Sequence, residues 1–155
     1  MLSAIPISWC SWSYQIEDLS QAVAAIDMAW LRERADVRIG DAEYKLGRYA
    51  LVGGNFELSH EGELVAKATK RTFVRSFDIE AGERRFELSA ISIFGRTMGL
   101  YENGELIGKM APVGFWSRRA NADFPDGLPL DVRVFLIWFV LILWRRAASS
   151  AAAAG

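Results

Sequence analysis

Apolar side chains return at nearly every second position through most of the chain before residue 124, in short runs broken by polar, Gly-containing turns. That period is the one a half-buried strand requires, since successive side chains point to opposite faces. Phe56-Glu57-Leu58-Ser59, then His60-Glu61-Gly62, then Glu63 to Thr69 reads as strand, turn, strand. Arg84 to Ile91 and Phe73 to Ile79 read as longer strands with their charged residues facing water. Asn103-Gly104 is the strongest hairpin signal, because both central residues of a type I′ turn need positive φ. Gly40-Asp41, Glu61-Gly62 and Ala81-Gly82 mark comparable turns. The alanines between Leu19 and Met28 would also suit a short helix, but their register with later segments argues for strand.

That register comes from the chain itself. Displaced by 42 residues, Tyr14, Ile16, Ala22, Val23 and Ala24 fall on Phe56, Leu58, Leu64, Val65 and Ala66. These fall in turn on Met98, Leu100, Leu106, Ile107 and Gly108. Gly-Glu-Leu-(Val/Ile)-(Ala/Gly)-Lys, from Gly62 to Lys67 and from Gly104 to Lys109, is the closest local identity. Leu31 aligns with Phe73 and Phe115, Val37 with Ile79, Tyr44 with Phe86 and Leu46 with Leu88, and the third copy then breaks off. Four strands to a full copy gives about twelve in all.

Where the third copy stops, the pattern changes. Residues 134–144 are apolar on every face, so the segment must be surrounded by apolar matter. Pro129 and Asp131 suit a helix start, and Arg145 and Arg146 suit its end through the macrodipole. As a helix the apolar run covers about 17 Å, against about 30 Å of bilayer hydrocarbon, which favours a buried core helix over a membrane span. Strand number and helix then explain each other. A barrel of about eight strands fills its own interior, whereas about twelve leave a lumen that needs a plug. The expected fold is therefore mainly β: a closed antiparallel barrel of about twelve strands built on the 42-residue repeat, with the C-terminal helix threaded through its lumen. One domain spans 1–148, with the helix at about 129–147 and a flexible Ala/Ser-rich tail at 149–155. Phe135, Trp138, Phe139, Ile142 and Leu143 are the expected plug.

The composition supports a packed domain, with 155 residues, 52% hydrophobic and 24% charged. Net charge is −1, which offers no global field for nucleic acid. The charge is uneven, because residues 1–66 carry ten acids and five bases and residues 67–155 nine acids and thirteen bases. Cys10 is the only cysteine, which excludes an intrachain disulfide and a thiolate zinc cluster and suits a reducing compartment. The N-terminus has neither the charged nor the apolar region of a secretory signal, so the cytosol is the expected location, with a peripheral place at a membrane.

Catalytic chemistry finds no foothold in these residues. His60 is the sole histidine and falls in a turn, where a solvated side chain is expected and the ligand count of a metal site is lacking. Cys10 has no activating base near it in sequence and reads as a buried or half-buried spectator thiol. Glu17-Asp18 and Glu102 with Glu105 lie at turns, where acids face solvent. No dinucleotide, phosphate-loop, nucleophile-elbow or zinc-protease motif occurs, so neither an enzyme nor a cofactor is implied. What remains is a basic segment, Lys67, Lys70, Arg71 and Arg75, with Lys109 aligned to Lys67 and with Arg118 and Arg119 at matching positions of the next copy. With Phe73 and Trp116 beside it, such a patch suits anionic lipid head groups; an ordinary solvated strand face has the same composition. Trp9, Trp12 and Tyr14 suit either an interfacial anchor or barrel-end packing.

Three segments carry a family resemblance: "Phe-Glu-Leu-Ser-His-Glu-Gly-Glu-Leu-Val-Ala-Lys" from Phe56, "Leu-Tyr-Glu-Asn-Gly-Glu-Leu-Ile-Gly-Lys" from Leu100, and "Leu-Pro-Leu-Asp-Val-Arg-Val-Phe-Leu-Ile-Trp" from Leu128. With them the chain resembles the Tubby C-terminal-like superfamily, which includes Tubby domains, LURP-one-related proteins and phospholipid scramblases. The resemblance spans roughly residues 14 to 147 and implies a barrel of about twelve strands around a hydrophobic helix. It further implies a non-catalytic module bound to anionic phospholipid. The acidic calcium-binding and cysteine-rich segments of scramblases are missing, which argues against lipid scrambling. Two other readings fit: a protein-interaction barrel with an unidentified protein partner and no lipid role, and a tail-anchored membrane protein using residues 130–146.

Overall fold

The computed structural model describes residues 1–28, 33–49, 55–71, 76–93, 95–114 and 117–155. Twelve strands close into one antiparallel barrel in which each strand pairs with its neighbour in sequence. They are β1 (Leu2–Pro6), β2 (Tyr14–Asp18), β3 (Gln21–Met28), β4 (Arg34–Ile39), β5 (Ala42–Tyr49), β6 (Asn55–His60), β7 (Glu63–Lys70), β8 (Ser76–Ala81), β9 (Arg84–Ala90), β10 (Met98–Glu102), β11 (Glu105–Pro112) and β12 (Ala120–Asp123). The stretch open to a helical reading, 19–28, is the turn Leu19–Ser20 followed by strand β3. Closure is made by β1 against β12, which leaves no unpaired edge.

Backbone irregularities recur at the 42-residue spacing. The β2–β3, β6–β7 and β10–β11 hairpins each slip register once, at Ile16/Glu17, Leu58/Ser59 and Leu100/Tyr101. Such bulges tighten the local twist, which a closing sheet requires. Each of these hairpins turns on two residues of positive φ: Leu19 and Ser20, Glu61 and Gly62, Asn103 and Gly104. The strand lacking from the third copy is supplied by the N-terminus. β1 meets β2 as β5 meets β6 and β9 meets β10, with Ala4 opposite Ile16, Leu46 opposite Leu58 and Leu88 opposite Leu100.

A single helix, α1 (Leu130–Ala154), fills the lumen. Every residue from Val134 to Ile142 is at most 3% exposed, and the surrounding wall is equally dry, with Ile16, Leu58, Ile79, Leu88 and Leu100 at 0%. Of the expected plug, Phe135, Trp138, Phe139 and Ile142 are fully buried and Leu143 is partly buried. Phe139 packs on Phe56 and edge-on to Phe77, both at 4.9 Å. The helix comes closest to β6 and β7, where the inward residues Ala66 and Ala68 leave it room.

The helix does not end near 147. Alanine has the highest helix propensity, and the Ser149 and Ser150 hydroxyls donate to the Arg145 and Arg146 carbonyls at 3.0 Å, so helix continues through the Ala/Ser segment to Ala154. Arg145 and Arg146 consequently lie within the helix rather than in its last turn, which carries no basic residue.

Candidate functional site

The up-and-down order sorts the connections to two ends. The tight turns after β2, β4, β6, β8 and β10, with the start of α1, make one end. The described parts of the longer connections, 7–13, 33, 71, 91–93, 95–97, 113–114 and 117–119, with the exit of α1, make the other. Charge leans the same way. Asp18, Asp41, Glu61, Glu83, Glu102, Glu105 and Asp126 sit in or beside the turns and outnumber the cations there, Arg38, Arg84, Arg85 and Arg133, of which Arg84 pairs with Glu102 and Arg133 with Asp126, whereas Arg48, Lys70, Arg71, Arg96, Arg118, Arg119, Arg145 and Arg146 stand at the loop end with Glu33. Helix α1 points its positive pole to the acidic end and its negative pole to the basic one, which the charges complement.

A collar of cations and rings fixes α1 where it leaves the barrel. Arg146 makes a two-pronged ion pair with Glu33 and lies over the Phe56 ring at 4.9 Å. Trp144 donates from Nε1 to the Arg96 carbonyl at 2.8 Å, under the Arg96 guanidinium. Arg145 faces Trp12, and Arg118 covers both Trp12 and Tyr14. Burial pushes the Glu33 carboxyl up, yet the hydrogen bond and charge of Arg146, with Arg48 and Arg145, overcome this and hold it below its ordinary value. Outside the collar the connections present apolar tips: Trp9 is 94% exposed, Ile93 84%, Ile7 58% and Val113 52%. Beyond them the exposed Ala147–Ala154 turns of α1 project about 12 Å.

The cations singled out from sequence do not gather into one patch. Lys67 and Lys109 hold matching places on β7 and β11, with three strands between them. Lys67 is half-buried, opposite Glu57 on one side and Glu80 on the other. Arg71 is engaged by Asp78 at 2.8 Å and Glu87 at 2.5 Å. Arg118 donates to the carbonyls of Trp9 and Ser11 at 3.0 and 2.5 Å and straps the 7–13 connection. Lys70 and Arg119 are exposed at the loop end. Arg75, Phe73 and Trp116 lie outside the described residues. Arg48, Arg96, Arg145 and Arg146 join this end as well; the signal for them was that every second connection of an up-and-down sheet reaches the same rim.

Cys10 is exposed rather than buried, because the 7–13 connection carries it past the end of β1. His60 closes β6, stacks on Tyr44 at 4.5 Å, and places Nδ1 2.8 Å from the Glu43 carbonyl. Burial raises the Tyr44 phenol above its ordinary value, and the facing Asp131 carboxylate raises it further. Among the described residues no group of three or more His, Cys, Asp or Glu side chains is placed to hold a metal ion. α1 is long and apolar enough by length and composition to cross a membrane, and half of its most apolar stretch is buried inside the barrel.

No family model matches the chain, and no curated protein or solved structure matches it.

Proposed function

We propose that this chain is a non-catalytic binding module of the Tubby and LURP-one-like kind that docks on anionic phospholipid membranes, loop end first. The supporting observation is that the exposed tips Trp9, Ile93, Ile7 and Val113 share one end with Lys70, Arg96 and Arg119. Each surface cation near an anionic bilayer is worth about 1 kcal/mol, and an apolar side chain moved out of water adds about 1.5–3 kcal/mol when fully buried. The acidic turn end is repelled by the same surface, so attraction and repulsion favour one orientation. A tail-anchored arrangement would have to draw α1 out of the lumen and leave Leu58, Leu88 and Leu100 facing an empty barrel.

Flotation with liposomes, on protein purified without detergent, tests this reading. Wild type is expected to float with anionic but not neutral vesicles, less at high salt. Trp9→Ser with Ile93→Ser, and separately Lys70→Glu with Arg119→Glu, should stay at the bottom of the gradient. Soluble protein that ignores both vesicles would favour the protein-interaction barrel, and a detergent requirement would favour the tail anchor.

A further inference from the structure

The ladder that closes the barrel, between β12 and β1, is built unlike the ladders at the same place in the other copies. There the third and fourth strands form a hairpin, β4 turning into β5 and β8 into β9. Each of those ladders is six residues deep, from Arg34 opposite Gly47 to Ile39 opposite Ala42, and from Ser76 opposite Ser89 to Ala81 opposite Arg84. No turn joins β12 to β1, because the chain runs on from β12 into α1. Their ladder is three residues deep: Leu2 faces Ala122, Ser3 faces Asn121 and Ala4 faces Ala120.

The side chains differ as well. Inward pairs of the complete hairpins are large, Val37 with Tyr44 and Ile79 with Phe86, whereas the closing seam pairs Ala4 with Ala120 and Leu2 with Ala122. An alanine pair is the baseline from which larger cross-strand pairs gain stability. On the outer face the Ser3 hydroxyl donates to Asn121 Oδ1 at 3.1 Å. The connection that follows β1, residues 7–13, spans about 23 Å when extended. It lies on the surface, with Ile7 58% and Trp9 94% exposed, and Arg118, just before β12, clasps it through the Ser8, Trp9 and Ser11 carbonyls.

We infer that β1 exchanges between two copies of this chain, each copy's β1 leaving its own seam to fill the gap between β12 and β2 of the other, with the 7–13 connections as crossovers. A second copy is the occupant because its β1 carries by identity the pattern that the gap accepts: Leu2 and Ala4 inward, Ser3 toward Asn121. Every ladder bond that one copy gives up is remade in the other, so the cost falls on the connection and on association. The contact is reciprocal and closes as a two-fold dimer. A short connection holds β1 beside its own seam at an effective concentration on the order of millimolar, so exchange calls for protein near that concentration and a passage through the unfolded state. The seam carries this inference independently of the membrane reading; a protein that exchanges β1 and ignores vesicles satisfies it.

The test refolds the full chain at about millimolar concentration and reads its mass by light scattering, in a Cys10→Ser background. Monomer and dimer are both expected. Ser3→Cys with Asn121→Cys, added to that background, places two thiols on opposed residues within disulfide reach. Oxidised as a monomer before unfolding, this variant should lose the dimer, and reduction should restore it. Direct proof comes from refolding the Ser3→Cys and Asn121→Cys single variants together and oxidising them. A linked heterodimer should form well above the yield of Ser3→Cys mixed with Lys70→Cys, because residue 70 lies at the loop end. Protein that stays wholly monomeric, a dimer that survives the oxidised 3–121 link, or a heterodimer yield no higher than the control would each overturn the inference.

Discussion

At the residue scale the departures from ordinary chemistry are few and each has a consequence. Leu19 and Ser20 hold φ of 48° and 68°, where the matching turn uses Asn103 and Gly104. A left-handed backbone costs an L side chain about 1–2 kcal/mol, and Leu19 is 90% exposed with little packing in return. Replacing both, as Leu19→Asn with Ser20→Gly, should therefore stabilise the barrel by about 1 kcal/mol, read as a rise in denaturation midpoint at unchanged slope. Trp138 is 0% exposed and its Nε1 hydrogen has no partner among the described residues. Trp138→Phe removes that orphan along with some packing and should cost less than about 1.5 kcal/mol, whereas Trp138→Asp buries an unpaired charge and should abolish the folded state in circular dichroism. Residue identities such as these plug positions were legible in the sequence, because an all-round apolar helix has only one dry place to go. Side-chain partners were not: that Arg71 and Arg118 are spent on internal contacts depends on register and loop path, and Cys10 turned outward for the same reason.

At the element scale the 42-residue spacing made turns and strands readable, since Gly and Asn appear where the backbone needs positive φ. It hid two things. The last strand of the third copy is β1, far away in sequence, so only closure reveals it. The helix outruns its expected end because alanine propensity carries it past two arginines that looked like a terminus. Gly108 shows how tightly the closing strands fit: a Cβ there would lie 2.7 Å from the Asp123 carbonyl oxygen. Gly108→Ala should cost about 1–3 kcal/mol in chemical denaturation, well above an exposed-strand Gly→Ala change. The α1 exit depends on Glu33. Its depressed folded value means that its contribution is present above the ordinary carboxylate range and is lost as pH falls through the folded value. Glu33→Gln should thus lower stability by about 1 kcal/mol at neutral pH, and the gap to wild type should close in acid below the ordinary glutamate range.

For the whole molecule, the barrel is an axial object with an acidic turn end, a basic end tipped with apolar side chains, and a helix joining them. The parity of connections in an up-and-down sheet places the described parts of the longer loops on one rim, which strand-by-strand reading of the cations on β7 and β11 did not reach. The most direct measurement is amide hydrogen exchange on the protein bound to anionic vesicles. Slowed exchange confined to 7–13, 91–97 and 113–119, with the turns at Glu61 and Asn103 unchanged, is the result predicted. Protection at the turn end, or none at either end while the protein floats, would contradict docking through the loop end.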